Sequence, residues 1–270
     1  MYLLQDLFAG KVRSFISCTN VSYESARDED FYDIQLDVKG CKNVYESLKK
    51  YTESEMLEGD NQYDAGPEFG KQDARKGVIF VKLPPVLTIH LKRFDFDFER
   101  LCYKKVHDHF EFPSWLDLDP YLAQDSEQKG QDNEYIVHSV LVHSGDFGGG
   151  HYYAYIRPTS DLFDYAAARP KMQKKADQCK MEYHANHPDS ATNGANAAEG
   201  EGEGEEKEKE RMPEDVTKDA GRMGKWYKFD DDHVYAVEDE EALDYCYGRL
   251  EGGGINNSLS SAYMLVYVNT

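Results

Sequence analysis

The stretch HSGDFGGGHYYAYIRP, residues 143–158, decides the fold, because two β-strand patterns meet in it around a run of glycines. The residues before it, 135–145, and those after it, 151–158, are rich in β-branched and aromatic side chains. They predict a β-hairpin with a long glycine-bearing loop. Taken by its spacing alone, His151 is either a turn residue or a catalytic base, and glycines before it would let another backbone approach closely.

Further strand patterns lie on both sides of this hairpin. Helices are predicted in two short segments, and helical fragments around residues 165–181 stay open as an alternative. Pro84 and Pro85 separate two β-runs, since proline cannot donate to a sheet ladder. The predicted strands lie in residues 11–18, 31–40, 77–83, 86–94 and 262–268, with two short strands and an acidic turn in 226–237; the predicted helices lie in 43–56 and 238–247. The sequence therefore predicts a sheet-rich α+β fold.

Residues 159–224 interrupt these patterns with an acidic, glycine-rich segment that has few large apolar side chains. We expect it to be a largely disordered insertion, because such a composition cannot offset its ordering entropy. A long insertion costs a scaffold little when its ends are adjacent, so Pro158 and Lys225 should lie close together. That closeness would bring His151 near the acidic run 230–232.

An aspartate beside His151 could orient the imidazole as a general base. The acidic run could equally be a solvated turn. A calcium loop is disfavoured, because the glycine that such a loop needs at its sixth position is missing.

Composition limits the classes of function. The formal net charge of −20 argues against nucleic acid as a partner; it suits a basic protein partner or simply solubility. We found neither an apolar run of membrane-spanning length nor a signal-peptide pattern. Five scattered cysteines without a C-x-x-C pair predict a reducing compartment, cytoplasmic or nuclear, with no disulfide framework.

Longer motifs carry a family resemblance. The segments GGHYYAYIRP, KWYKFDDDHV and AYMLVYV resemble the C-terminal signature of the ubiquitin-specific proteases, which are papain-like cysteine proteases. Upstream motifs resemble the herpesvirus-associated type in particular: LFAGK, FYDIQLDVKGCKNVYESL, LEGDNQYDAG, KGVIFVKLPPVLTIHLKRF, FEFP and HSVLVHSGD. The resemblance implies an incomplete papain-like fold with a mostly antiparallel sheet, in which residues 1–158 and 225–270 form the fingers and palm.

The same resemblance implies a thiol hydrolase that cleaves after the C-terminal glycine of ubiquitin. His151 would be the general base and acid, and Asp230 would orient it, with Asp231 as the neighbouring alternative. The residues implied to line the channel for the ubiquitin tail are Phe94, His143, Gly149, Gly150 and Tyr152. Ubiquitin and ubiquitinated proteins are the implied partners of a monomer that needs no cofactor.

Two departures from the family pattern qualify this prediction. The box N-x-G-x-x-C-[YF]-x-N, which carries the nucleophile and an oxyanion donor, is not found, and the contexts of all five cysteines differ from it. Many relatives also bind zinc through two C-x-x-C pairs, whose positions here hold Cys18 with Val21 and Ala65 with Glu68, so we predict no metal. An inactive ubiquitin-binding module, or an acidic scaffold acting through residues 159–224, therefore stays open as an alternative.

Overall fold

The computed structural model describes residues 3–158, 226–249 and 259–269, so the predicted insertion lies outside the described residues. Strands dominate the described part: β1 Gly10–Cys18, β2 Glu24–Phe31, β3 Ile34–Asp37, β4 Glu55–Leu57, β5 Tyr63–Asp64, β6 Lys71–Gln72, β7 Ala74–Lys82, β8 Val86–Lys92, β9 Phe94–Asp97, β10 Cys102–Lys105, β11 Trp115–Asp117, β12 Glu134–Asp146, β13 Gly149–Ile156, β14 Trp226–Asp230, β15 His233–Val237 and β16 Ser260–Asn269. The helices there are α1 Leu3–Phe8, α2 Val44–Thr52 and α3 Asp239–Ala242. Within the same ranges, no helix is long and apolar enough to cross a membrane.

The larger sheet has the strand order β15-β14-β13-β12-β16-β8-β3, with β11 paired to β12. Its ladders are antiparallel except for the parallel pair of β3 with β8. This confirms the prediction of a mostly antiparallel sheet. The pairing of Ile156 with Tyr227 also brings the two sides of the insertion together in adjacent strands.

The core lies on the central strands of this sheet, β12 and β16. Val140 and Leu265 are paired across the two strands, and both are fully buried. Burying an aliphatic side chain of this size stabilises a fold by about 1.5–3 kcal/mol. The strands that lead to residues 143–152 are therefore anchored in the buried core.

A smaller sheet has the order β2-β1-β7-β4. At its far end Cys18, Ala65 and Ala74 form a separate buried cluster, against which Val21 and four other partly buried hydrophobic residues pack. Of the four positions considered above for zinc ligands, Cys18 and Ala65 belong to the cluster and Val21 packs against it. Apolar packing thus occupies this region.

Two helix predictions were too long. Asn43 caps α2 by accepting a hydrogen bond from the backbone N–H of Glu46, as expected for an N-cap. The helix ends at Thr52, because residues 55–57 pair with β7 as strand β4. The second segment forms only the single turn α3 and a following 3₁₀ turn, and Gly248 follows with a positive φ of 100°.

Strand β2 lies between the predicted strands 11–18 and 31–40, in a segment for which no strand is predicted. Seven of its eight residues are exposed, so it has no apolar alternation; its pairing with β1 defines it. The prediction of a long loop in the hairpin of residues 135–158 was also wrong. Pairing of β12 with β13 continues to Asp146 and Gly149, leaving a tight turn of Phe147 and Gly148, with Gly148 at a φ of 89°.

Candidate active site

His151 and Asp230 meet at one end of the larger sheet. His151 lies near the start of β13 and Asp230 at the end of β14, and the ladder between these strands fixes their separation. His151 Nε2 is 2.5 Å from Asp230 Oδ1. Because a carboxylate only accepts, the imidazole donates from Nε2, which leaves Nδ1 available as a base.

The second oxygen of Asp230 is also held. Lys228 Nζ lies 3.0 Å from Asp230 Oδ2 and 4.1 Å from the centre of the Tyr153 ring. The hydrogen bond from His151, followed by that from Lys228, lowers the pKa of Asp230. The hydrogen bond to Asp230 in turn raises the pKa of His151 above its ordinary value. The pair is therefore electrostatically matched, with a charged carboxylate stabilising the imidazolium.

The turn after Asp230 separates the three aspartates. Asp231 has a φ of 52°, the left-handed conformation that a tight turn between β14 and β15 requires. Asp232 Oδ1 lies 2.7 Å from His233 Nδ1, so the Asp232 carboxylate contacts its neighbour in the chain. Of the three, Asp230 carries the hydrogen bond to His151.

Among the described residues, His151, Asp230 and Asp231 form a cluster that could hold a metal ion. Ligand atoms of His151, Asp230 and Asp231 lie within 4.8 Å of one another. One Asp230 oxygen already bonds to His151 and the other lies 3.0 Å from Lys228 Nζ.

Phe94, His143 and Tyr152 form a second group, next to the pair but on the other side of the strand. His151 and Tyr152 are successive residues of β13, so their side chains point in opposite directions. The His143 ring lies 4.6 Å from the Tyr152 ring and 5.5 Å from the Phe94 ring. His143 is buried while Tyr152 is 54% exposed, so the group presents an aromatic surface to solvent.

The two predicted glycines differ in what they require. A Cβ on Gly150 would collide with His143 Nε2 and with the Ser144 carbonyl oxygen. A Cβ on Gly149 would meet nothing within 4 Å. Gly150 therefore allows β13 to approach β12 closely, whereas Gly149 faces open space.

The four described cysteines differ in burial. Cys18, Cys41 and Cys246 are buried and Cys102 is exposed. Burial raises the pKa of Cys246, whose Sγ lies 3.5 Å from the Glu241 carbonyl oxygen. In the part of the chain that the structure describes, we observe no hydrogen bond between one of these thiols and His151.

Sequence reasoning missed two neighbours of the site. The centre of the Tyr263 ring lies 6.0 Å from that of Phe94 and 5.9 Å from that of Tyr152. Lys228 holds Asp230. The alternation of side chains along a strand could have placed Tyr263 on the face opposite to that of the buried Ala262, and Lys228 on the same face as Asp230. Alternation does not, however, predict which side chains of other strands they contact.

Comparisons with known proteins identify the family of this chain. The sequence model of the family "Ubiquitin carboxyl-terminal hydrolase" matches residues 2–267. The chain belongs to this family of cysteine-type deubiquitinases.

Curated relatives extend this result. Ubiquitin C-terminal hydrolase 12 of Arabidopsis thaliana is 40% identical over 98% of this chain. Ubiquitin carboxyl-terminal hydrolase 7 of Drosophila melanogaster is 37% identical over 98% of this chain. The matched regions make up 19% and 18% of those proteins, so the chain spans about a fifth of their length.

A solved structure shows the same fold. The SAGA Ubp8/Sgf11/Sus1/Sgf73 DUB module bound to ubiquitin aldehyde contains a chain that matches with a TM-score of 0.62 and 23% identity. The match covers 99% of this chain and 42% of the other. At this identity the likeness shows the fold alone.

Proposed function

We propose that this chain supplies the base side of a cysteine-type deubiquitinase that cleaves after the C-terminal glycine of ubiquitin. The hydrogen bond between His151 and Asp230, within a region that matches the family, is the observation that carries the proposal. Ubiquitin and ubiquitinated proteins are the proposed partners. The solved relative bound to ubiquitin aldehyde supports this choice of partner.

The proposed chemistry starts at the free nitrogen of His151. Nδ1 takes the proton of a cysteine thiol, and the thiolate attacks the carbonyl carbon of the terminal glycine. The imidazolium then gives this proton to the leaving amine, which leaves a thioester. Water, deprotonated by the same nitrogen, attacks the thioester carbonyl carbon; the C–S bond breaks, ubiquitin leaves with a free carboxyl terminus, and the imidazolium returns the proton to the cysteine thiolate. Asp230 holds the tautomer throughout and stabilises the imidazolium.

The aromatic group beside the pair suits the approach of an extended peptide tail. The ring of Tyr152 is exposed and packs against the His143 ring. The Phe94 ring packs against His143 in turn. Gly149, with open space at its Cα, allows a passing backbone to come close. We propose that these residues, with Gly150 keeping the strands together, line the channel for the ubiquitin tail.

The nucleophile is proposed to come from a cysteine box outside these 270 residues. None of the five cysteine contexts matches that box, and Cys246 is held protonated by burial. Without nucleophile and oxyanion donors, a His–Asp pair gives essentially no cleavage.

A second candidate is a ubiquitin-binding module without hydrolase activity. The observation that favours it is that, among the described residues, no thiol is hydrogen-bonded to His151. Titration of ¹⁵N-labelled ubiquitin with the chain would show binding in both cases, with shifts at the ubiquitin tail. An absence of shifts at high micromolar concentration would contradict both candidates.

Hydrolysis separates the two. The chain is fused to the cysteine-box segment of its Arabidopsis relative and assayed with a fluorophore-linked ubiquitin; the same fusion with the box cysteine changed to alanine is the control. The deubiquitinase proposal expects turnover that the control lacks. A folded, ubiquitin-binding fusion without turnover would support the binding module instead.

A further inference from the structure

Lys105, the last residue of β10, has an unusual environment for a lysine. Only 4% of the residue is exposed. Its ammonium donates to three backbone carbonyl oxygens: His143 O at 2.7 Å, Gly145 O at 3.2 Å and Leu259 O at 2.7 Å. A lysine this buried normally has a carboxylate partner, and in the described ranges we find none within ion-pair distance.

These carbonyls belong to the strand end that faces the candidate active site. His143 and Gly145 flank Ser144, which is the register partner of His151. The Leu259 carbonyl also accepts a hydrogen bond from the Gly145 backbone N–H, at 3.3 Å. One ammonium therefore ties β10 to the end of β12 and to the chain just before β16.

Strand β10 also contacts the turn between β12 and β13, at Phe147. The side chains of Tyr103 and Lys105 are two residues apart and so share one face of β10. The Tyr103 ring stacks on the Phe147 ring at 5.0 Å with an interplanar angle of 24°. The backbone N–H of Phe147, and after it that of Lys105, lowers the pKa of Asp146, the residue before Phe147.

The ammonium is costly where it stands. Burial, with repulsion from Arg93, lowers the pKa of Lys105 to about 8, while Asp146 partly compensates. Replacing a buried charge with an apolar side chain of similar size is often neutral or stabilising. The three carbonyl contacts thus make sense as a means of fixing one geometry of the strand end.

We propose that Lys105 is a positioning residue: by holding the carbonyls of His143 and Gly145, it keeps His151 in register with Asp230. Its effect on cleavage rests on the proposed function above. Its effect on the His151–Asp230 geometry does not, so a test in the chain itself distinguishes failure of this inference from failure of the proposed function.

The test compares Lys105→Met with Lys104→Met. Lys104 is the neighbouring residue on β10, exposed and ion-paired to Asp97, and it serves as the matched control. NMR of the ¹⁵N-labelled chain gives the imidazole pKa of His151 and the amide exchange rates across residues 144–152, with β8 amides as an internal reference. Lys105→Gln, which keeps a donor, is read in place of Lys105→Met if the latter does not fold.

The proposal expects Lys105→Met to lower the pKa of His151 toward about 6.5. It also expects exchange across 144–152 to rise about tenfold or more relative to β8. Lys105→Arg should restore part of both, and Lys104→Met should change neither. A folded Lys105 variant with an unaltered His151 pKa and uniform exchange would overturn the proposal, because a purely structural lysine would lower only global stability.

Discussion

His151 Nε2 lies 2.5 Å from Asp230 Oδ1, although the two residues are 79 positions apart in the sequence. The ladder between β13 and β14 makes this contact, with Ala154 opposite Phe229 as the pair nearest the site. The pairing of β13 with β14 forms this contact within the chain itself. Its effect on the pKa of His151 is therefore measurable without substrate.

The first prediction concerns the imidazole itself. Asp230→Asn removes the carboxylate that raises the pKa of His151, so the pKa should fall toward about 6.5. Asp232→Asn is the control, because that carboxylate bonds to His233. NMR titration of the ring signals measures both. Equal shifts in the two variants would show that net charge, not the hydrogen bond, sets the His151 pKa.

The second prediction concerns stability against pH. A histidine with a raised pKa contributes stability that is complete below about 6.5 and is lost as pH rises through the folded pKa. Asp230, with a lowered pKa, contributes stability that is complete above about 3.9 and is lost as pH falls through its folded pKa. The Tm difference between the wild type and Asp230→Asn should therefore be largest between these limits. A difference that grows from neutral to alkaline pH would contradict this sign.

The third prediction contrasts two adjacent glycines. Gly150→Ala should destabilise the chain by about 1–3 kcal/mol, because the new Cβ collides with His143 and Ser144. Gly149→Ala has free space and should stay within about 1 kcal/mol of the wild type. Urea unfolding measures both. Similar costs for the two variants would mean that β12 and β13 can separate without penalty.

The fourth prediction concerns the stack of Tyr103 on Phe147, at 5.0 Å between ring centres. A double-mutant cycle of Tyr103→Ala and Phe147→Ala should give a coupling free energy of about 0.5–1.5 kcal/mol. Denaturant unfolding of the four proteins supplies the value. The pair Tyr103→Ala and Tyr32→Ala, whose members have no ring contact with each other, is the reference cycle, and coupling no larger than this reference would argue against a grip of β10 on the turn.

Much of the sheet was predictable because its strands carry their own apolar patterns. The break at Pro84 and Pro85 separates β7 from β8, and the apolar run at 262–268 lies within β16. The adjacency of His151 and Asp230 followed from an insertion between neighbouring strands. In each case the signal is local, or is joined by one topological argument.

The rest depends on contacts that a local pattern does not contain. Strand β2 exists because β1 offers it a ladder, and its own residues are nearly all exposed. The tight turn at Phe147 and Gly148 follows from how far the β12–β13 pairing extends. Lys105 reads as a surface lysine at the end of a short strand, and only the folded chain surrounds its ammonium with carbonyl groups.

The most direct measurement of the central claim is kcat/KM for ubiquitin–fluorophore hydrolysis by the cysteine-box fusion, comparing His151→Ala with His233→Ala. His233 begins β15 as the register partner of Asp230 and lies 2.7 Å from Asp232, so it is a matched control. A general base in this position predicts a loss of about 10²–10⁴-fold for His151→Ala and a change within about threefold for His233→Ala. Hydrolysis that persists in a folded His151→Ala fusion would contradict the account.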